Sequence, residues 1–85
     1  MVETGEQLIE VEYYALLRDR AGCACESVRT RAADARALYA ELQARHGFAL
    51  APEHLRVAIN DDFAPWDQRL QAGDRVVFIP PVAGG

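Results

Sequence analysis

The last six residues, Pro80-Pro81-Val82-Ala83-Gly84-Gly85, are the ones whose types and order could do chemistry. Two prolines favour an extended, polyproline-like exit. Side chains then shrink through Val82 and Ala83 to Gly84 and Gly85, and a backbone without Cβ atoms can enter a narrow slot. The segment closes on a carboxylate, ionised at neutral pH. A carboxylate is a poor electrophile until a good leaving group is attached. Once adenylated, the unhindered glycyl carbon of Gly85 would be open to attack, and a sulfur donor would leave a thiocarboxylate there. A terminal Gly-Gly by itself also fits an inert chain end. What favours chemistry is context: only four residues separate the glycines from the apolar run Val76–Ile79, so the arm is anchored at its base.

Other residues offer less. Ser27 is the only serine, and the glycines at 5, 22, 47 and 73 are scattered, so neither a Ser-His-Asp set nor a phosphate loop is in view. Cys23 and Cys25 are one residue apart, which is neither a redox pair nor a disulfide framework. His46 and His54 complete no zinc spacing with them, and no metal is expected. Asp61 and Asp62 fit a solvated turn. The net charge of −4 and pI near 5.0 argue against nucleic acid. Neither a signal peptide nor an apolar run of roughly 20 residues is present, so a cytoplasmic protein without a membrane span is expected. All nine cationic side chains are arginine. That reflects either arginine-rich codon usage or avoidance of amines near an activated terminus, because guanidinium stays protonated.

These residues must be positioned by one small domain of 85 residues. Met1–Gln7 reads as a flexible leader, residues 8–79 as the domain, and residues 80–85 as the extended tail. Leu8–Ala15 alternates as a strand with Ile9, Val11, Tyr13 and Ala15 on one face. Leu16–Ala21 fits a short helical turn ending at Gly22. Cys23–Arg31 reads as an edge strand. Asp34 caps a helix whose Ala35, Leu38, Tyr39 and Leu42 share a stripe, closed by His46-Gly47. Phe48–His54 reads as a loop, Leu55–Asn60 as a strand, Asn60-Asp61-Asp62 as a turn and Phe63–Trp66 as a short return strand. Arg75–Ile79 is the last strand, with Val77 and Ile79 on one face and Val76 and Phe78 on the other. The order predicts an α+β fold, a β-grasp: a mixed sheet of about five strands covered on one face by one main helix. Apolar residues on both faces, Tyr14 beside Tyr13 and Phe78 beside Ile79, predict a protein-binding patch near the tail, its face unassigned.

Val57–Gly85, VAINDDFAPWDQRLQAGDRVVFIPPVAGG, resembles the C-terminal third of molybdopterin synthase small subunits. Ile9–Gly22 is similar to that family's first strand and short helix. The resemblance implies the ubiquitin-like β-grasp fold and a sulfur-carrier cycle. A ubiquitin-activating-like adenylyltransferase would use ATP to adenylate Gly85, with Gly84 its slender neighbour. A cysteine-desulfurase-type donor would then supply the sulfur of the thiocarboxylate. Pro80, Pro81, Val82 and Ala83 would form an arm inserting into the large subunit, with Phe78, Ile79 and Tyr14 at the partner surface. There the sulfur would pass to cyclic pyranopterin monophosphate, building the molybdopterin dithiolene. The resemblance further implies two small and two large subunits, no permanently bound cofactor, and no catalysis by the small subunit alone. Three alternatives stay open: a sulfur carrier for thiamine or cysteine synthesis, a ubiquitin-like protein modifier, and an interaction module with an inert tail.

Overall fold

In the computed structural model of the protein, which describes residues 5–81, the alternation of the first strand does what a half-buried strand requires. Ile9, Val11 and Tyr13 of β1 (Gln7–Tyr13) are all buried, with Leu8 and Glu10 turned outward. The strand starts one residue before the expected Leu8 and stops before Ala15. That residue is exposed and opens helix α1 (Ala15–Ala21) at φ 53, so it does not extend the buried face. An L-residue in the left-handed region is strained. Gly22, at φ 79, closes α1 by donating its N–H to the Arg18 carbonyl at 3.0 Å.

Strand β2 (Cys25–Thr30) runs back antiparallel to β1 and forms one edge of the sheet, as predicted, although Cys23 and Ala24 belong to the connection. Helix α2 (Ala35–His46) begins where Asp34 accepts the Ala37 N–H at 2.8 Å, a cap contributing about 1 kcal/mol. Its buried residues are the predicted Ala35, Leu38, Tyr39 and Leu42. The following loop contains a 3-10 turn at Pro52–His54.

Strands β3 (Arg56–Ile59) and β4 (Asp62–Ala64) form a hairpin whose two loop residues, Asn60 and Asp61, both have positive φ, 52 and 76. Such a pair suits a type I′ turn, and Asn and Asp tolerate it better than other non-glycine residues. Strand β4 ends before Pro65, and Trp66 does not continue it. Its indole stacks on Phe78 at 5.9 Å and meets Tyr39 edge-on, so the expected end of the return strand is a core contact instead.

Strand β5 (Arg75–Ile79) lies parallel to β1 and antiparallel to β3, giving the order β2-β1-β5-β3-β4. A strand central in its sheet is apolar on both faces because neighbours enclose it. Val76 and Phe78 join the core under α2, whereas Val77 and Ile79 face the opposite way. Both helices send side chains into that one core, Leu17 from α1 and Leu38, Tyr39 and Leu42 from α2. The result is the β-grasp: a mixed five-stranded sheet covered on one face.

Candidate functional site

The tail grows from the most enclosed strand of the sheet. Strand β5 delivers Pro80 in a buried position and Pro81 in an exposed one. Pro80 therefore belongs to the root of the tail and is not free to insert elsewhere. Val82, Ala83, Gly84 and Gly85, the remaining predicted arm and sulfur-bearing end, lie outside the described residues. Two shallow grooves flank the root. One is walled by Tyr14, Leu16 and Asp19, the other by Glu53, His54 and Arg56, and Ile79, Pro80 and Pro81 are common to both.

Next to the root, the face of the sheet away from α2 turns apolar. Pairing places Ala58 beside Val77 and opposite Phe63, and these three line a depression with Tyr14 and Ile79. Tyr14 is 48% exposed and Phe63 64%, high values for such large apolar surfaces. The Arg56 guanidinium sits 4.4 Å from the Phe63 ring centroid, a cation–π contact that keeps the ring splayed on the surface. Further down the same face, Arg75 donates to Glu12 at 3.0 Å and is also paired with Asp61. The Asp61 and Glu12 carboxylates hold its guanidinium protonated more firmly than usual. This ion pairing marks where the apolar patch ends.

Of the predicted partner-surface residues, Tyr14 and Ile79 are on this open face. Phe78 is not: it is fully buried between Tyr39 and Trp66. Side chains alternate along β5, so a surface containing Ile79 contains Val77 and excludes Phe78. Phe63 was missing from the expectations. The one sequence signal for it was position: two residues beyond a two-residue Asn-Asp loop, hence directly across from Ala58.

The covered face carries its own polar cluster at the end nearest the tail. The Tyr13 hydroxyl donates to Glu26 Oε2 at 2.5 Å, and His46 Nε2 lies 2.8 Å from the same oxygen. Burial pushes the Tyr13 phenol well above its ordinary value, and the Glu26 hydrogen bond adds to that. Burial alone would raise the Glu26 carboxyl. Hydrogen bonds from Tyr13 and His46, with the charges of His46 and Arg45, reverse this and hold it below the usual carboxylate range. Both cysteines are free thiols. Burial, then the nearby Glu26 and Cys25, pushes the Cys23 thiol up, which does not favour a reactive thiolate. Among the described residues no group of three ligating side chains could hold a metal ion, and no helix is long and apolar enough to cross a membrane.

Comparison with known proteins converges on this geometry. The ThiS family model matches residues 11–85, from the middle of β1 through the final glycine. The molybdopterin synthase sulfur carrier subunit of Escherichia coli K12 is 32% identical over 81 residues, 92% of this chain and the whole of that protein. The crystal structure of SAMP1 from Haloferax volcanii superposes with a TM-score of 0.75 at 25% identity, covering 92% of this chain and 99% of that one. A chain in the complex of subunits 1 and 2 of the Helicobacter pylori 26695 molybdopterin-converting factor gives a TM-score of 0.63 at 26% identity, covering 93% and 100%. With a β-grasp sheet, a proline-rooted tail and a family match reaching the last glycine, the chain belongs to the ThiS family and is similar to the small, sulfur-carrying subunits of molybdopterin synthase.

Proposed function

We propose that this chain is the sulfur-carrier subunit of a molybdopterin synthase. The observation that carries the reading is the end-to-end similarity to the Escherichia coli sulfur carrier subunit, within a family match that extends through Gly85. In this reading Gly85 is adenylated by a ubiquitin-activating-like enzyme that consumes ATP. Persulfide sulfur from a cysteine-desulfurase-type donor displaces AMP, a thiol reduces the acyl disulfide so formed, and the freed thiocarboxylate gives its sulfur to cyclic pyranopterin monophosphate in the large subunit. The chain's own part is mechanical and electrostatic. Strand β5 and buried Pro80 fix the root. Val82 and Ala83, then Gly84, thin the arm so that the terminus can enter a closed site. Tyr14, Phe63, Val77 and Ile79 supply an apolar seat for the large subunit around that root. Two small and two large subunits make up the working assembly.

Intact-mass spectrometry of the protein from its native host tests this. A subpopulation with one terminal oxygen replaced by sulfur is expected, and deletion of Gly85 should remove it while the circular dichroism spectrum stays unchanged. Sulfur loading that survives the deletion would refute the reading. Likeness to SAMP1, a small archaeal modifier protein, supports a second reading, in which the same activated terminus is joined to other proteins. Immunoblots of the native host separate the two: a ladder of heavier conjugates supports the modifier, and co-purification of a large synthase subunit supports the carrier.

A further inference from the structure

An activated glycyl carbon at the end of this chain has a hazard close by, which is the chain itself. Four residues follow Pro81, and four extended residues reach at most about 14 Å. Every nucleophile within that radius of Pro81 competes with the sulfur donor. A lysine amine there would attack the acyl carbon. The C–N bond would form, the C–O bond to the adenylate would break, AMP would depart with its electron pair, and the ammonium proton would pass to water. The product is an amide, which no later step of a sulfur cycle reopens.

The polar side chains walling the two grooves at the tail root are Tyr14, Asp19, Glu53, His54 and Arg56. Acyl transfer to any of the first four gives an ester, an anhydride or an acyl-imidazole, all of which water or a sulfur nucleophile reopens. Arg56 is the telling residue. It pairs directly with Ile79, about 5 Å away between Cα atoms, and is exposed, so the cation resting on Phe63 lies within reach of the arm. The cation present is a guanidinium, which stays protonated and unreactive where an amine would not. The thiols fit the same pattern. Cys25 pairs with Glu12, toward the tail end of β1, and is exposed. A thioester formed there keeps the acyl group activated, so it delays sulfur transfer without ending it.

We propose that the lysine-free composition of this chain is a chemoselectivity device. It leaves no lysine amine within reach of the activated terminus, with Arg56 as the cation at its root, and so reserves the acyl group for sulfur. The inference rests on the carrier reading, since only an activated terminus needs such protection.

The test requires no activating enzyme. The full chain is prepared with a small-molecule thioester in place of the Gly85 carboxylate, as wild type, Arg56→Lys and Arg31→Lys. Arg31 follows Thr30, which pairs with Gln7 at the far end of β1, about 30 Å along the strands from Pro81. The samples are held dilute at about pH 9, where a few per cent of a lysine amine is free base. Intact masses are then read after hydroxylamine, which cleaves thioesters and spares amides. Arg56→Lys should give a hydroxylamine-resistant product one water lighter than the free acid, formed at least about tenfold faster than in the other two proteins. Equal yields of that product in all three, or none in Arg56→Lys, would overturn the proposal. Both substitutions conserve charge at exposed sites, and thermal melts confirm that the variants fold. Because the thioester is installed chemically, these results stand apart from whether a thiocarboxylate occurs in the native host, so the two readings fail separately.

Discussion

The two faces of the sheet are built from the same strands and obey different rules. Under α2, Ile9, Val11, Tyr13, Val28, Val57, Val76 and Phe78 are closed off from water, and the charges that reach this side are tied down, Glu26 to Tyr13 and His46 and Glu41 to Thr30. On the open face, a cluster of apolar residues near the tail gives way to Glu10, Ser27, Glu12 and Arg75 farther along, with Leu8 exposed at the far end. The difference teaches that this small domain spends one face on stability and leaves the other outside the core, where the proposed function puts recognition, with β5 contributing alternate residues to each.

Substitutions on adjacent residues of β5 give the sharpest division. Phe78→Ala should cost about 3–5 kcal/mol, the range for truncating a buried aromatic, and chemical denaturation would register it as a lower midpoint. If the midpoint hardly moved, the assignment of Phe78 to the core would be wrong. Ile79→Asp, one residue on, should leave the midpoint within about 1 kcal/mol and weaken binding to a large synthase subunit at least about tenfold by calorimetry. Phe63→Asp should behave like Ile79→Asp, and a variant of either kind that binds normally breaks the proposed seat.

A subtler division comes from pH. Glu26 titrates lower in the folded chain than when unfolded, so its contribution is present above the unfolded value of about 4.3 and is lost as pH falls through the folded one. Melting temperature followed downward from about pH 5 should therefore fall less steeply in Glu26→Gln than in wild type, even though the variant starts lower. Parallel curves would show that the cluster contributes nothing through its charge. The smallest effect belongs to the rim where the faces meet. Ala15, at φ 53, occupies a conformation that glycine adopts freely, so Ala15→Gly should gain about 0.5 kcal/mol after the entropy cost of glycine in the unfolded chain.

How much of this the residues announced depends on how local the signal is. The Asp34 cap, the stripe of α2, the Gly22 and Gly47 stops and the edge position of β2 each rest on a few neighbouring residues, and each is found in the structure. The face of β5 was not legible. A strand apolar on both sides has no alternation to read, and only its placement between β1 and β3 decides that Phe78 goes inward and Ile79 outward. Trp66 and the Tyr13–Glu26–His46 cluster were hidden for a related reason. Their partners come from segments 12 to 33 residues away in sequence, so only the folded chain brings them together. Phe63 stood in between: a hairpin was expected, but the exposure of its aromatic ring was not.

The parallel pairing of β1 with β5 also decides how the domain answers force. The two strands leave the sheet at opposite ends, β1 toward the leader and β5 toward the tail. Tension applied between the N-terminal leader and the C-terminal arm therefore slides the strands past one another, straining the rungs of their ladder all at once, where a hairpin pulled at its open end would part rung by rung. If the leader is held while a partner draws in the arm, as the proposed function has it, the pull loads that ladder in shear.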